Sequence, residues 1–111
     1  MEKVEKYRRI IKTELDRQIE HKSSIQPGIQ KKLIISPDGL DFIFLVFGWH
    51  NKSYQHFIAY RVELKDGKVW VHEDRTDSPI ADRLTELGIP ASDIICTYLE
   101  PKYQEQELAM A

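Results

Sequence analysis

Apolar positions at the start of the chain recur at helical spacing. Val4, Tyr7, Ile11, Leu15 and Ile19 fall three or four residues apart, with Ile10 beside them, and predict an amphipathic helix over 3–22. Its polar side carries Lys6, Arg9, Glu14, Asp16, Arg17 and Glu20. Ser23-Ser24 and Pro27-Gly28 end the helix and turn the chain. Beyond them the pattern changes. Ile29 to Ile35 reads as a first strand, and Pro37-Asp38-Gly39 as a turn in which Gly39 takes positive φ. Asp41 to Trp49 reads as a second strand. Its run Phe42-Ile43-Phe44-Leu45-Val46-Phe47 does not alternate, so both faces are apolar and both want cover. Such a strand is expected at the centre of a sheet or under a second subunit.

A third strand is predicted over about Tyr54 to Leu64, with Ile58, Tyr60, Val62 and Leu64 on one face and Arg61 and Glu63 on the other. Asp66-Gly67 then signals a two-residue type I′ turn. That turn pairs Leu64 with Val69, Val62 with Val71, Tyr60 with Glu73, Glu63 with Trp70 and Arg61 with His72, matching apolar against apolar. A second, shorter helix is expected from about Pro79 to Leu87. Ser78 caps it, Pro79 takes its first position, and Ile80, Leu84 and Leu87 form the buried stripe. Gly88 and Pro90 stop it, and Ile94 to Leu99 supplies a short last strand. The expected fold is α+β: an antiparallel sheet of four to five strands with an N-terminal helix and a second shorter helix, forming one domain over 1–111.

Length agrees, since 111 residues suffice for one core and not for two. A hydrophobic content of 41% against 31% charged separates the chain from disordered ones. The longest apolar run, Phe42 to Phe47, is far too short to span a membrane. The charged, helical N-terminus does not resemble a secretory signal. Cys96 is the single cysteine, which excludes an internal disulfide and makes a reducing cytosol the expected compartment. Net charge is −2 but uneven: residues 1–35 hold nine Lys/Arg against five Asp/Glu, and the remainder seven against thirteen. A mixed-charge helix face accounts for this; a weakly basic surface toward DNA is the alternative.

Candidate chemistry is sparse. His21, His50, His56 and His72 match no zinc spacing, and no metal or other cofactor is expected. Glu73, Asp74, Asp77 and Asp82 form an acidic cluster, but Arg75 sits within it and Asp77 precedes a helix N-terminus. Cys96, between apolar neighbours and without an adjacent cation, reads as a buried thiol and not a nucleophile. No catalytic residue is assigned. Trp70 falls on the mixed face with Arg61, Glu63 and His72, where it is either an interface anchor or a residue under a helix.

Gly48-Trp49, Leu64-Lys65-Asp66-Gly67-Lys68-Val69-Trp70, Asp74 and Thr76 continue into Ile80-Ala81, Leu84, Leu87-Gly88-Ile89-Pro90 and Asp93-Ile94. In this order they resemble the XisI family, excision-controlling factors of filamentous cyanobacteria. The opening Tyr7-Arg8-Arg9-Ile10-Ile11 and closing Ala109-Met110-Ala111 fit as well. Two departures stand out: Arg75 replaces the family's usual glycine, and Glu100 to Leu108 lacks its basic and threonine pattern. The resemblance implies a small α+β accessory protein without catalytic residues of its own. It would act with a XisH-like, nuclease-related companion while a separate recombinase cuts DNA. The expected partner surface is Trp70 with Asp74, Arg75 and Asp77. A homodimer is expected through Phe42, Phe44 and Phe47, with DNA bound only weakly, through Lys6, Arg9, Arg17 and Lys22, and no membrane.

Overall fold

The computed structural model describes residues 2–20, 28–76 and 79–97. Its elements are α1 (Glu2–Glu20), β1 (Ile29–Ile35), β2 (Asp41–His50), β3 (Ser53–Lys65), β4 (Lys68–Asp74), α2 (Ile80–Glu86), a 3-10 turn at Ala91–Asp93 and β5 (Ile94–Cys96). The sheet order is β1-β2-β3-β4-β5. Strands β1 to β4 pair antiparallel, as short turns require, and β5 pairs parallel to β4. The connection through α2 crosses over the sheet and brings the chain back in the same direction. The fold is α+β, with the two expected helices and five strands.

Both tight hairpins have the backbone that the right-handed twist of strands selects. Asp66 and Gly67 have φ of 55° and 72°, and Asn51 and Lys52 have 49° and 64°. The predicted pairs Leu64–Val69, Glu63–Trp70 and Val62–Val71 are all present. Beyond them a bulge at His72 moves the register by one, so Arg61 faces Glu73 and Tyr60 faces Asp74. A second bulge, at Ala59, lets Phe44 face Tyr60 while Leu45 faces Ile58. Ile58 is thereby turned away from Tyr60, Val62 and Leu64, contrary to the simple alternation.

The core lies between one face of the sheet and the two helices. Tyr7, Ile11 and Leu15 of α1 and Ile80 and Leu84 of α2 are buried with Phe42, Phe44, Val62, Val69, Val71 and Ile94. Phe44 and Tyr60 meet edge to face at 5.6 Å. Phe42 and Phe44, expected at an oligomer interface, are 0% and 2% exposed inside this core. Even-numbered positions of β2 point to the helices, so of the three phenylalanines only Phe47 lies on the other face. Leu87 is also displaced from its expected place: it is 37% exposed, and Ile89, beyond Gly88, fills the core instead. Glu14, placed by periodicity on the polar side of α1, is 1% exposed. Pro79 is the N-cap of α2, so the helix starts one residue later than expected, and Ser78 lies outside the described residues. So do the turn at 21–27 and any continuation of β5 past Thr97.

Candidate functional site

The second sheet face has no described helix over it. Ile43, Leu45 and Phe47 of β2, Ile58 of β3, Trp70 of β4 and Ile95 of β5 lie there half-buried, and Ile34 of β1 is 39% exposed. The non-alternating apolar run of β2 thus has one face in the core and one on this open surface. A contiguous apolar sheet face of this kind is a candidate interaction surface.

Trp70 sits among polar neighbours on this face. Its indole Nε1 donates to the Lys65 carbonyl at 3.0 Å, and Lys65 Nζ lies 5.9 Å from the ring centroid. The His72 ring stacks on it at 6.5 Å. His72 in turn spans three strands. One ring nitrogen is 2.9 Å from Glu63 Oε1 on β3, and the other is 2.6 Å from Thr97 Oγ1 beyond β5. Hydroxyl, imidazole and carboxylate in a row are the parts of a nucleophile–base chain. Here, however, both the Thr97 hydroxyl and its N–H also reach the Val71 carbonyl, at 3.3 and 2.9 Å. The row continues the β4–β5 ladder and fastens the sheet. Arg61 and Asp41, 2.9 Å apart, add an ion pair two residues along β3 from Glu63. At the far hairpin Trp49 and Tyr54 are 62% and 52% exposed with rings 5.4 Å apart, and His56 stacks on Tyr54 at 6.2 Å.

Asp74 and Arg75 are not brought to Trp70. The bulge at His72 turns Asp74 to the helix side, opposite Tyr60. Its Oδ1 accepts from the Thr76 N–H at 3.0 Å and the Thr76 hydroxyl at 2.8 Å, and its Oδ2 accepts from the Ile80 N–H at 2.8 Å. Asp74 therefore closes the β4–α2 corner and does for α2 what a capping side chain does. Arg75 donates from Nε to Glu73 at 2.6 Å, and its backbone N–H donates to the Ala59 carbonyl. The expected polar rim around Trp70 is formed by Lys65, Glu63 and His72 in their place. Asp77 lies outside the described residues.

Between α1, α2 and the sheet is a cleft of about 980 Å³, lined by Phe44, Val46, Phe57 and Tyr60 below and Arg17, Arg75 and Arg83 above. Glu14 is its electrostatic centre. Arg17 donates to both carboxylate oxygens, at 3.0 and 2.7 Å, Arg83 donates at 3.0 Å and Gln18 at 2.9 Å. Burial alone would push this carboxyl up; the bonds from Arg17, Gln18 and Arg83 outweigh it and hold the group down at about 2. The sequence clue to this site was the spacing of Glu14 and Leu15 beside Ile11, which sets Glu14 at the border of the apolar stripe. At the other end of α1, Tyr7 donates to Asp93, which also pairs with Lys3 at 3.0 Å. Burial, then the bond to Asp93 and its charge, push the Tyr7 hydroxyl up to about 12.

Among the described residues no three His, Cys, Asp or Glu side chains gather as a metal site, and no helix is long and apolar enough to cross a membrane. His50 Nε2 is engaged by Asn51 at 3.0 Å, and Cys96 is buried in the core.

A one-sided helix layer on a five-stranded sheet, with an apolar opposite face, defines a small α+β protein built around a sheet surface. The family model for XisI protein matches residues 1–109, and the chain belongs to the XisI family. Its fold is shared with a XisI-like protein of Anabaena variabilis, 21% identical, with a TM-score of 0.81 over 93% of this chain and 94% of that one. It is also similar to the fdxN element excision controlling factor XisI of Anabaena variabilis, 27% identical, with a TM-score of 0.74 over 92% of this chain and 98% of that one. No curated protein matches the chain.

Proposed function

We propose that this protein is a non-enzymatic accessory factor that controls excision of a DNA element by binding a protein partner. Membership of the XisI family and similarity to an fdxN element excision controlling factor carry this reading. The open sheet face supports it. An apolar centre of Leu45, Phe47 and Ile58, bordered by Trp70, Glu63, His72 and Arg61, has the composition of a docking surface. The resemblance points to a XisH-like companion as the occupant.

Direct DNA binding through α1 is the weaker alternative. Of the four cations expected to meet DNA, Arg17 is paired with Glu14, Lys6 and Arg9 are exposed, and Lys22 lies outside the described residues; their neighbours Lys3, Arg8 and Lys12 are paired with Asp93, Glu5 and Asp16. A cation already satisfied by a carboxylate has little to offer a phosphate, so the expected affinity is poor and its salt dependence shallow.

Co-purification with a XisH-like protein tests the proposal. The folded wild-type chain should retain the companion, and Phe47→Glu should lose it by placing a charge in the apolar centre. Full retention by a folded Phe47→Glu variant removes this face. No association of the wild-type chain removes the partner reading. Nanomolar, sequence-selective binding to bare DNA in a gel shift would favour the alternative.

A further inference from the structure

Sheet edges expose unpaired N–H and C=O groups, and proteins protect them by shortness, charge or proline. Two of the edges here follow that rule. The edge strand β1 carries Lys31 and Lys32, and β5 has only three residues. A third edge does not follow it. Strand β3 has 13 residues, but β4 pairs only with Tyr60 to Lys65. The bond from the Arg75 N–H to the Ala59 carbonyl marks where the fourth strand leaves. From Ser53 to Ile58, the side of β3 facing away from β2 has no partner among the described residues. The stretch Ser53-Tyr54-Gln55-His56-Phe57-Ile58 contains no lysine, arginine, aspartate, glutamate or proline.

The direction of its backbone groups follows from the hairpin. A two-residue turn is closed by a hydrogen-bonded pair, here His50 with Ser53, and such pairs alternate with non-bonded ones along an antiparallel ladder. Gln55 and Phe57 therefore bond to β2, while Tyr54 and His56 turn their N–H and C=O outward.

We propose that two copies of this chain join edge to edge along Ser53–Phe57, antiparallel about a two-fold axis through Gln55. The stretch is self-complementary in that register. Ser53 meets Phe57, Tyr54 meets His56, and Gln55 meets its own copy, with no like charges opposed. The outward groups of Tyr54 and His56 then pair between copies. Tyr54, 52% exposed in the single chain, gains an aromatic neighbour of the kind it already has in His56. In this register Lys52 of the second copy falls opposite Ile58, so the paired stretch ends before the Arg75–Ala59 bond. The two sheets become one, and both open faces lie on the same side, so this pairing neither uses nor requires the partner surface above.

Sedimentation at micromolar concentration should give twice the 13.1 kDa chain mass. Proline at position 56 removes an outward N–H and leaves the β2–β3 ladder intact. His56→Pro should therefore sediment as a folded single chain whose melt no longer depends on protein concentration. Gln55→Cys, facing itself across the axis, should oxidise to a covalent dimer, whereas Ser92→Cys on the distant 3-10 turn should not. Gln55→Cys decides the matter if His56→Pro fails to fold. A wild-type monomer, a folded His56→Pro dimer, or Gln55→Cys linking no faster than Ser92→Cys overturns the proposal.

Discussion

Glu14 of α1 and Arg83 of α2 meet at 3.0 Å across 69 positions of sequence, with the carboxylate 1% exposed. This contact ties the two helices together over the sheet. Arg17, one turn further along α1, completes the neutralisation. A buried carboxylate is stable only with such partners.

Acid should therefore loosen the helix layer. A carboxyl held at about 2 in the folded chain ionises near its ordinary value when unfolded. Its stabilisation is present above about 4.5 and is lost as pH falls toward 2, amounting to roughly 2 kcal/mol after allowance for solvent around the guanidinium groups. Arg83→Ala should cost about 1–2 kcal/mol at neutral pH, because Arg17 remains. Urea melts at several pH values check both, and a pH-independent difference between wild type and Glu14→Gln would contradict the assignment.

Tyr7 should mark the alkaline limit. Its hydroxyl is pushed up to about 12, so the stability it contributes is present below pH 10 and is lost as pH rises toward 12. Tyr7→Phe should cost about 1 kcal/mol at neutral pH and flatten the alkaline decline. Burial raises Tyr60 as well, so ultraviolet titration of Tyr7→Phe should lose one late-ionising tyrosine relative to wild type; no such loss would count against the buried bond to Asp93.

Asp74 and Trp70 should behave differently when changed. Asp74→Ala removes three hydrogen bonds at the corner before α2 and should cost about 1–2 kcal/mol, with hydrogen exchange speeding up first around Ile80 to Leu84. Trp70→Ala leaves the helix-covered core untouched. It should cost about 1–2 kcal/mol, below the 3–5 expected for a fully buried aromatic, while weakening partner association. Melts run beside pull-downs separate the two. Equal loss of both properties in both variants would place Trp70 with the structural residues.

Gly48 should tolerate no side chain. Its φ is +131°, and a methyl group there would run into the carbonyl oxygen of Gly28, the residue just before β1. Gly48→Ala should cost about 3 kcal/mol or more by parting β1 from β2. A near-wild-type melting temperature would show that this close approach is not maintained.

Much of the architecture was legible before any coordinates. The 3.6-residue period gave α1, Asp66-Gly67 gave the β3–β4 register near the turn, and Pro79 with Gly88 bracketed α2. Two of the errors, at Ile58 and Asp74, share a cause. Alternation assumes a regular strand, and single-residue bulges at Ala59 and His72 reverse it, moving Ile58 to the open face and Asp74 to the helix side. No composition signal marks either bulge. The candidate partner site was half legible: Trp70 was read on the mixed face, but its supposed companions Asp74 and Arg75 belong to a different corner.

The sequence by itself determined which segments become helix or strand, because periodicity, turn chemistry and capping act over a few neighbouring residues. It also determined that β2 is apolar on both sides. Only the tertiary structure decided which of those sides the helices cover. It also decided that Glu14 is buried and held by a residue of the second helix, and that β4 stops short and leaves about half of β3 without a neighbour on that side among the described residues. These are outcomes of packing between segments distant in sequence, where shape and charge must match across the core and no local pattern records the match.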